Sequence, residues 1–148
     1  MIKETFANTW LQNTNTARAK FIDYKINPKH KIKLKTLTTT IQIVWKKTIV
    51  AKSQNCIEML ENKHAPIIYF PMNDIYDEFF IPSSQATYCP YKGDAAYWSL
   101  RSKTEEAANA VWSYPTPVHA LLPIMHHRAF YLDSMGANFG LQLNIIQG

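Results

Sequence analysis

Cys89, Lys92 and Glu61 are the side chains of this 148-residue chain best suited to chemistry, and two of them share one short stretch, Thr87 to Leu100, TYCPYKGDAAYWSL. A cysteine attacks as its thiolate, which a nearby cation favours, so Lys92 would activate Cys89 if the loop folds back on itself. Covalent catalysis also needs a base and an orienting group. Glu61 is a candidate base, and His119, His126 and His127 lie downstream, but no local Cys-His signature links them. A small buried side chain beside Pro90 is the competing reading of Cys89. Lys92-Gly93-Asp94 reads as a turn in which Gly93 takes a positive φ, and an ammonium beside free backbone N–H groups suits a phosphate or carboxylate. The Walker pattern is absent, and a plain turn with a solvated lysine is the alternative.

The aromatic residues carry a second signal. Tyr97 and Trp98 sit on one candidate strand, Trp112 and Tyr114 on another. Alternation sends Tyr97 and Trp98 to opposite faces and puts Trp112 and Tyr114 on one, so one ring of the first pair can face the second pair. An aromatic cleft with a few polar groups, here Glu61, Lys92 and Ser99, is the usual form of a small-ligand site. The alternative is that the rings are the core of a small β domain. No metal site is expected, because His126 and His127 are adjacent and would point apart on a strand. Cys56 and Cys89 lack a CxxC spacing and read as free thiols. No cofactor is expected.

These residues need strands to position them. Ile32, Leu34 and Thr36 alternate with Lys33 and Lys35, and Ile41 to Trp45 alternates again. Thr48 to Ala51 follows Lys46-Lys47, a two-residue connection without the glycine or asparagine that tight hairpins prefer. Ser53 is placed to cap a short helical turn over Cys56 to Glu61. Pro66 and Pro71 bracket the apolar run Ile67 to Phe70, which suits a buried strand. Further strands are expected at Asp77 to Ile81 and Ala96 to Arg101, and a final one at Arg128 to Asp133, with helical turns over Val118 to Leu122. Thr104 to Ala110 has helical propensity but runs into Val111-Trp112, so at most one helical turn is expected before extended chain.

Charge is uneven. Residues 1–50 carry ten Lys/Arg against Glu4 and Asp23, a net +8, and the remainder carries −3. Lys29, Lys31, Lys33 and Lys35 could attract a nucleic acid or an acidic protein, although alternate lysines also guard an exposed strand edge. No run approaches the roughly 18–20 apolar residues that span a bilayer, and the first residues lack a signal-peptide core, so a cytoplasmic protein without membrane contact is expected.

Taken in order, YFP, PSSQATYCPYKGDAAYWSL, AVWSYPTP and AFYLD resemble the family catalogued as "domain of unknown function 427", also filed under a nucleotidyltransferase-like label. The resemblance covers roughly residues 31–134, and Glu61 and Tyr69 sit where that family tends to have a Glu before its apolar strand and a Tyr within it. It implies a mainly β chain with a β-tent fold, two antiparallel sheets at an angle with one or two short helices, as in methionine sulfoxide reductase B and the thalidomide-binding domain of cereblon. Paired CxxC motifs for zinc are absent here. Residues 1–30 then form a basic, partly ordered extension and 135–148 a peripheral tail. The expected function is binding of a small ligand, anionic or neutral, by Tyr69, Tyr91, Lys92, Gly93, Tyr97, Trp98, Ser99, Trp112 and Tyr114, with Glu61 at a polar end. An enzyme acting on a nucleotide or other phosphorylated metabolite is one rival, and an interaction module using the basic N-terminal half is another. Sheet edges leave a homodimer open.

Overall fold

The computed structural model describes residues 30–147, so the expected extension, apart from His30, lies outside the described residues. The described chain is mainly β and forms two antiparallel sheets. In chain order the strands are β1 (Ile32–Thr36), β2 (Thr40–Trp45), β3 (Thr48–Ser53), β4 (Ile57–Glu61), β5 (Ile67–Pro71), β6 (Phe80–Cys89), β7 (Gly93–Arg101), β8 (Glu106–Pro117), β9 (His127–Phe130) and β10 (Leu141–Ile146). The larger sheet has the order β1-β4-β5-β9-β8-β7-β6, and the smaller β10-β2-β3. No helix among the described residues is long and apolar enough to cross a membrane.

The period-2 patterns fold as their spacing dictates. On β2, Ile41, Ile43 and Trp45 are buried while Gln42 and Val44 are half-buried. On β1, which is an edge strand of the larger sheet among the described residues, Lys33 and Lys35 are exposed, and their charge opposes pairing with another chain. The hairpin between β2 and β3 turns on Lys46, whose φ of 52° is left-handed. Its amide donates to the Gly140 carbonyl at 2.9 Å, so tertiary contact stands in for the missing glycine.

Three local expectations are overturned. Cys56 to Glu61 is not a helical turn, because Ile57–Glu61 forms β4 and pairs with β1 and β5 on its two sides. Asp77–Phe79 is a 3-10 turn, and the strand expected there begins at Phe80 and runs to Cys89. Its Pro82 is tolerated because β6 is an edge strand with a register shift at that point. The expectation of at most one helical turn before extended chain at Thr104 to Ala110 is met, since β8 begins at Glu106 and absorbs Asn109, with φ of 55°, beside a register shift. The strand at 128–133 is shorter than expected and is not the last: residues of the supposedly peripheral tail form β10, which pairs with β2 and fully buries Leu141.

Alternation splits the core in two. Ile43, Trp45, Phe70, Leu100, Val111, Phe130 and Leu141 belong to one cluster, which joins the sheets. Their sequence neighbours Tyr69, Trp112 and Ala129 belong to another with Met59, Tyr97, Tyr114, Leu121 and Ile124, beneath the 3-10 segment His119–Ile124. The candidate site lies on this second side.

Candidate functional site

Lys92 is held by a short loop. Cys89 pairs with Gly93 across β6 and β7, leaving Pro90, Tyr91 and Lys92 to make the connection. The Lys92 amide donates to the Cys89 carbonyl at 3.1 Å, and the Val118 amide donates to the Lys92 carbonyl at 2.9 Å. The expected free amide at Lys92 is therefore already used by the turn. Gly93 has φ of 122°, and a Cβ there would stand 2.9 Å from the Thr116 carbonyl oxygen, so only glycine fits this crossing of loop and β8.

The fixed backbone sends the lysine side chain inward. Lys92 is only 6% exposed, and its Nζ lies 2.6 Å from Oε1 of Glu61, the last residue of β4. The other carboxylate oxygen, Oε2, is 2.8 Å from Nε2 of His30. Asn62 fixes the tautomer: its Oδ1 accepts from the Lys31 amide at 3.1 Å, so its Nδ2 donates to His30 Nδ1, also at 3.1 Å, and Nε2 carries the proton given to Glu61. The imidazole also stacks on Tyr91, with ring centroids 3.7 Å apart. Burial alone would raise the Glu61 pKa, but Lys92 and His30 together outweigh it and hold the carboxyl below its usual range.

Tyr69 and Trp112 form the adjoining wall. They come from β5 and β8, lie edge to face with centroids 6.3 Å apart, and the Trp112 indole donates to the Tyr69 hydroxyl at 3.2 Å. Trp112 also packs against Tyr131 at 4.4 Å. Glu61, Lys92, Tyr69 and Trp112 line a cleft of about 470 Å³, closed on other sides by Met59, the segment His64–Ile67, and Leu132, Ser134 and Met135. That volume lies within the range of small-molecule pockets, about 300–1,000 Å³.

The other sequence candidates do not line this cleft. Tyr91 supports it through the His30 stack, and Gly93 through the loop. Tyr97 and Tyr114 are buried in the aromatic cluster that includes Trp112. Tyr97 shares a hydrogen bond with Thr87 Oγ1 at 2.8 Å, whereas the fully buried Tyr114 hydroxyl has no hydrogen-bond partner among the described residues. Trp98 points to the opposite cluster and covers the Arg128 guanidinium at 4.0 Å. Ser99 accepts the Asn109 amide at 3.0 Å, serving the irregularity between β7 and β8. Cys89 is buried, and burial raises its pKa despite the opposing influence of Lys92, an environment that favours the neutral thiol.

His30, Asn62 and the strap Leu132–Met135 were invisible in the sequence as parts of a site. A single histidine next to lysines carries no spacing signal, and it reaches Glu61 only because Ile32 pairs with that residue across β1 and β4. Among the described residues, no group of three or more His, Cys, Asp or Glu side chains is arranged to hold a metal ion.

Comparison with known proteins places the chain in a family. The model of the family described as domain of unknown function (DUF427) matches residues 33–139, and the chain belongs to that family. No curated protein matches the chain. The matched segment contains Glu61, Tyr69, Lys92 and Trp112 but begins after His30.

Proposed function

We propose that this DUF427 domain binds a small, mainly apolar molecule in the Tyr69–Trp112 cleft, with a hydrogen-bond-accepting head group, carboxylate or phosphate, on Lys92. The observation that carries the reading is the unequal use of the buried ion pair. Both oxygens of Glu61 already accept bonds, from Lys92 and His30, whereas the Lys92 ammonium has three N–H donors and gives one to Glu61. Donor capacity at the edge of an apolar cleft is complementary to an acceptor. Bringing both charges out of water is unfavourable by several kcal/mol per ion before their attraction is counted, and apolar residues of similar volume often replace such pairs without loss. A buried pair retained at a cleft therefore favours a role in recognition over one in stability.

The aromatic wall supplies the rest of the affinity. Trp112 and Tyr69 offer a preformed apolar surface in which the indole N–H is already given to the Tyr69 hydroxyl, so a ligand need not supply an acceptor for it. Benzoate and phenyl phosphate are suitable probes, followed through the Trp112 indole N–H in nitrogen-15-labelled protein. Saturable shifts of that signal, lost in Lys92→Met, are expected. Shifts confined to Lys33 and Lys35, with Trp112 unmoved, would mean that these anions bind the basic edge and not the cleft.

A further inference from the structure

The strap that closes the cleft also borders a second cavity. This cavity measures about 530 Å³, and its far wall is Ile43, Ile68, Phe130, Leu141 and Leu143. It shares Pro66, Ile67, Leu132, Ser134 and Met135 with the Lys92 cleft. The shared residues come from two separate elements, the start of β5 and the chain after β9. The two cavities therefore adjoin where the start of β5 meets the strap.

The two ends differ in chemistry. At one lie Lys92 and Glu61. At the other, Gln142 is exposed, and Asp133 is committed to structure: its Oδ1 accepts the amides of Phe139, Gly140 and Leu141 at 3.1, 2.9 and 3.3 Å. That clamp, together with the bond from the Trp45 indole to the Phe139 carbonyl at 3.1 Å, ties the strap to β10. Apart from the shared Ser134, the remaining surface of the second cavity is apolar.

We propose that the ligand is an amphiphile whose anionic head meets Lys92 and whose aliphatic tail runs past Met135 into the second cavity. This rests on the reading of the cleft as the ligand site and adds the class of molecule. Met135 suits the junction, because an unbranched thioether side chain adapts to a sliding alkyl chain.

Straight-chain carboxylates from butanoate to decanoate, titrated by calorimetry, test the proposal. Full burial of each added methylene tightens binding about fourfold, so affinity should climb steeply along the series. Leu143→Trp, at a half-buried position on β10, should flatten the climb for the longer acids and leave butanoate unchanged. Gln142→Trp, at an exposed position that also lines the cavity, provides the same block if Leu143→Trp melts early. A flat series in the wild type, with butanoate still dependent on Lys92, overturns the amphiphile but not the cleft. Equal slopes in the wild type and a stably folded blocked variant also overturn it. Binding of no acid, together with no effect of Lys92→Met on any probe, overturns both.

Discussion

Lys92 and Arg128 are both cations drawn into the seven-stranded sheet, and they are held in opposite ways. Lys92 sits 2.6 Å from a carboxylate that is itself largely buried. Arg128, on β9, lies 3.3 Å from Asp77, whose side chain is 78% exposed, and its guanidinium carbon is 4.0 Å and 5.3 Å from the ring centres of Trp98 and Phe80. A flat, weakly hydrated guanidinium is at home against aromatic rings, whereas a compact ammonium needs close partners for its N–H groups. Burial lowers the Arg128 pKa and Asp77 only partly opposes it. The arginine is thus packed as a structural side chain, with rings taking up its contacts. The lysine is held by charge and lines a cleft, so two buried cations of equal formal charge are accommodated by different means.

Mutation separates them. Glu61→Ala leaves Lys92 buried beside no carboxylate and should destabilise the fold by about 3–5 kcal/mol in urea denaturation, with Glu61→Ala/Lys92→Met recovering much of the loss. A loss under about 1 kcal/mol would place the pair among ordinary surface ion pairs and erase the contrast. Gly93→Ala, which strains the loop carrying Lys92, should destabilise by about 1–3 kcal/mol, measured the same way. Arg128→Met should lose about 1–2 kcal/mol of cation–π attraction, while Asp77→Ala should change stability by less than about 1 kcal/mol. An Asp77→Ala effect as large as that of Glu61→Ala would show that both cations depend on charge pairing.

The acid limb of stability sharpens the same point. Glu61 has a lower pKa in the folded protein than its ordinary value of 4.5, so its contribution is fully present above about pH 4.5 and is lost as pH falls through the folded value. Denaturation midpoints between pH 6 and pH 3 should fall less steeply in Glu61→Gln than in the wild type; parallel curves would contradict the assignment.

Much of this was readable in the residues, but not the parts set by distant partners. Pro66 and Pro71 delimited β5, and the alternation of Ile41, Ile43 and Trp45 marked β2. Lys92 and Gly93 announced their turn through residue type alone. β4 was misread because Ser53 to Glu61 tolerates a helix locally, and only β1 and β5 on its flanks decide for a strand. β10 was missed because its residues earn burial from β2 and from the Asp133 clamp, neither of which lies nearby in sequence. Another long-range pairing, β1 with β4, hid His30. Trp98 and Tyr97 could be assigned to opposite faces, but which of them shared a cluster with Trp112 depended on how the strands packed.

The most direct test of the cleft compares the affinity of benzoate for the wild type and for Lys92→Met, both followed through the Trp112 indole N–H. A hydrogen bond to a charged group contributes about 1.5–3 kcal/mol, so the variant, destabilised by the unpaired Glu61 and measured at a temperature where it is folded, should bind about tenfold to a hundredfold more weakly. Saturable binding of equal strength in both proteins would contradict the claim that Lys92 is the polar end of the site.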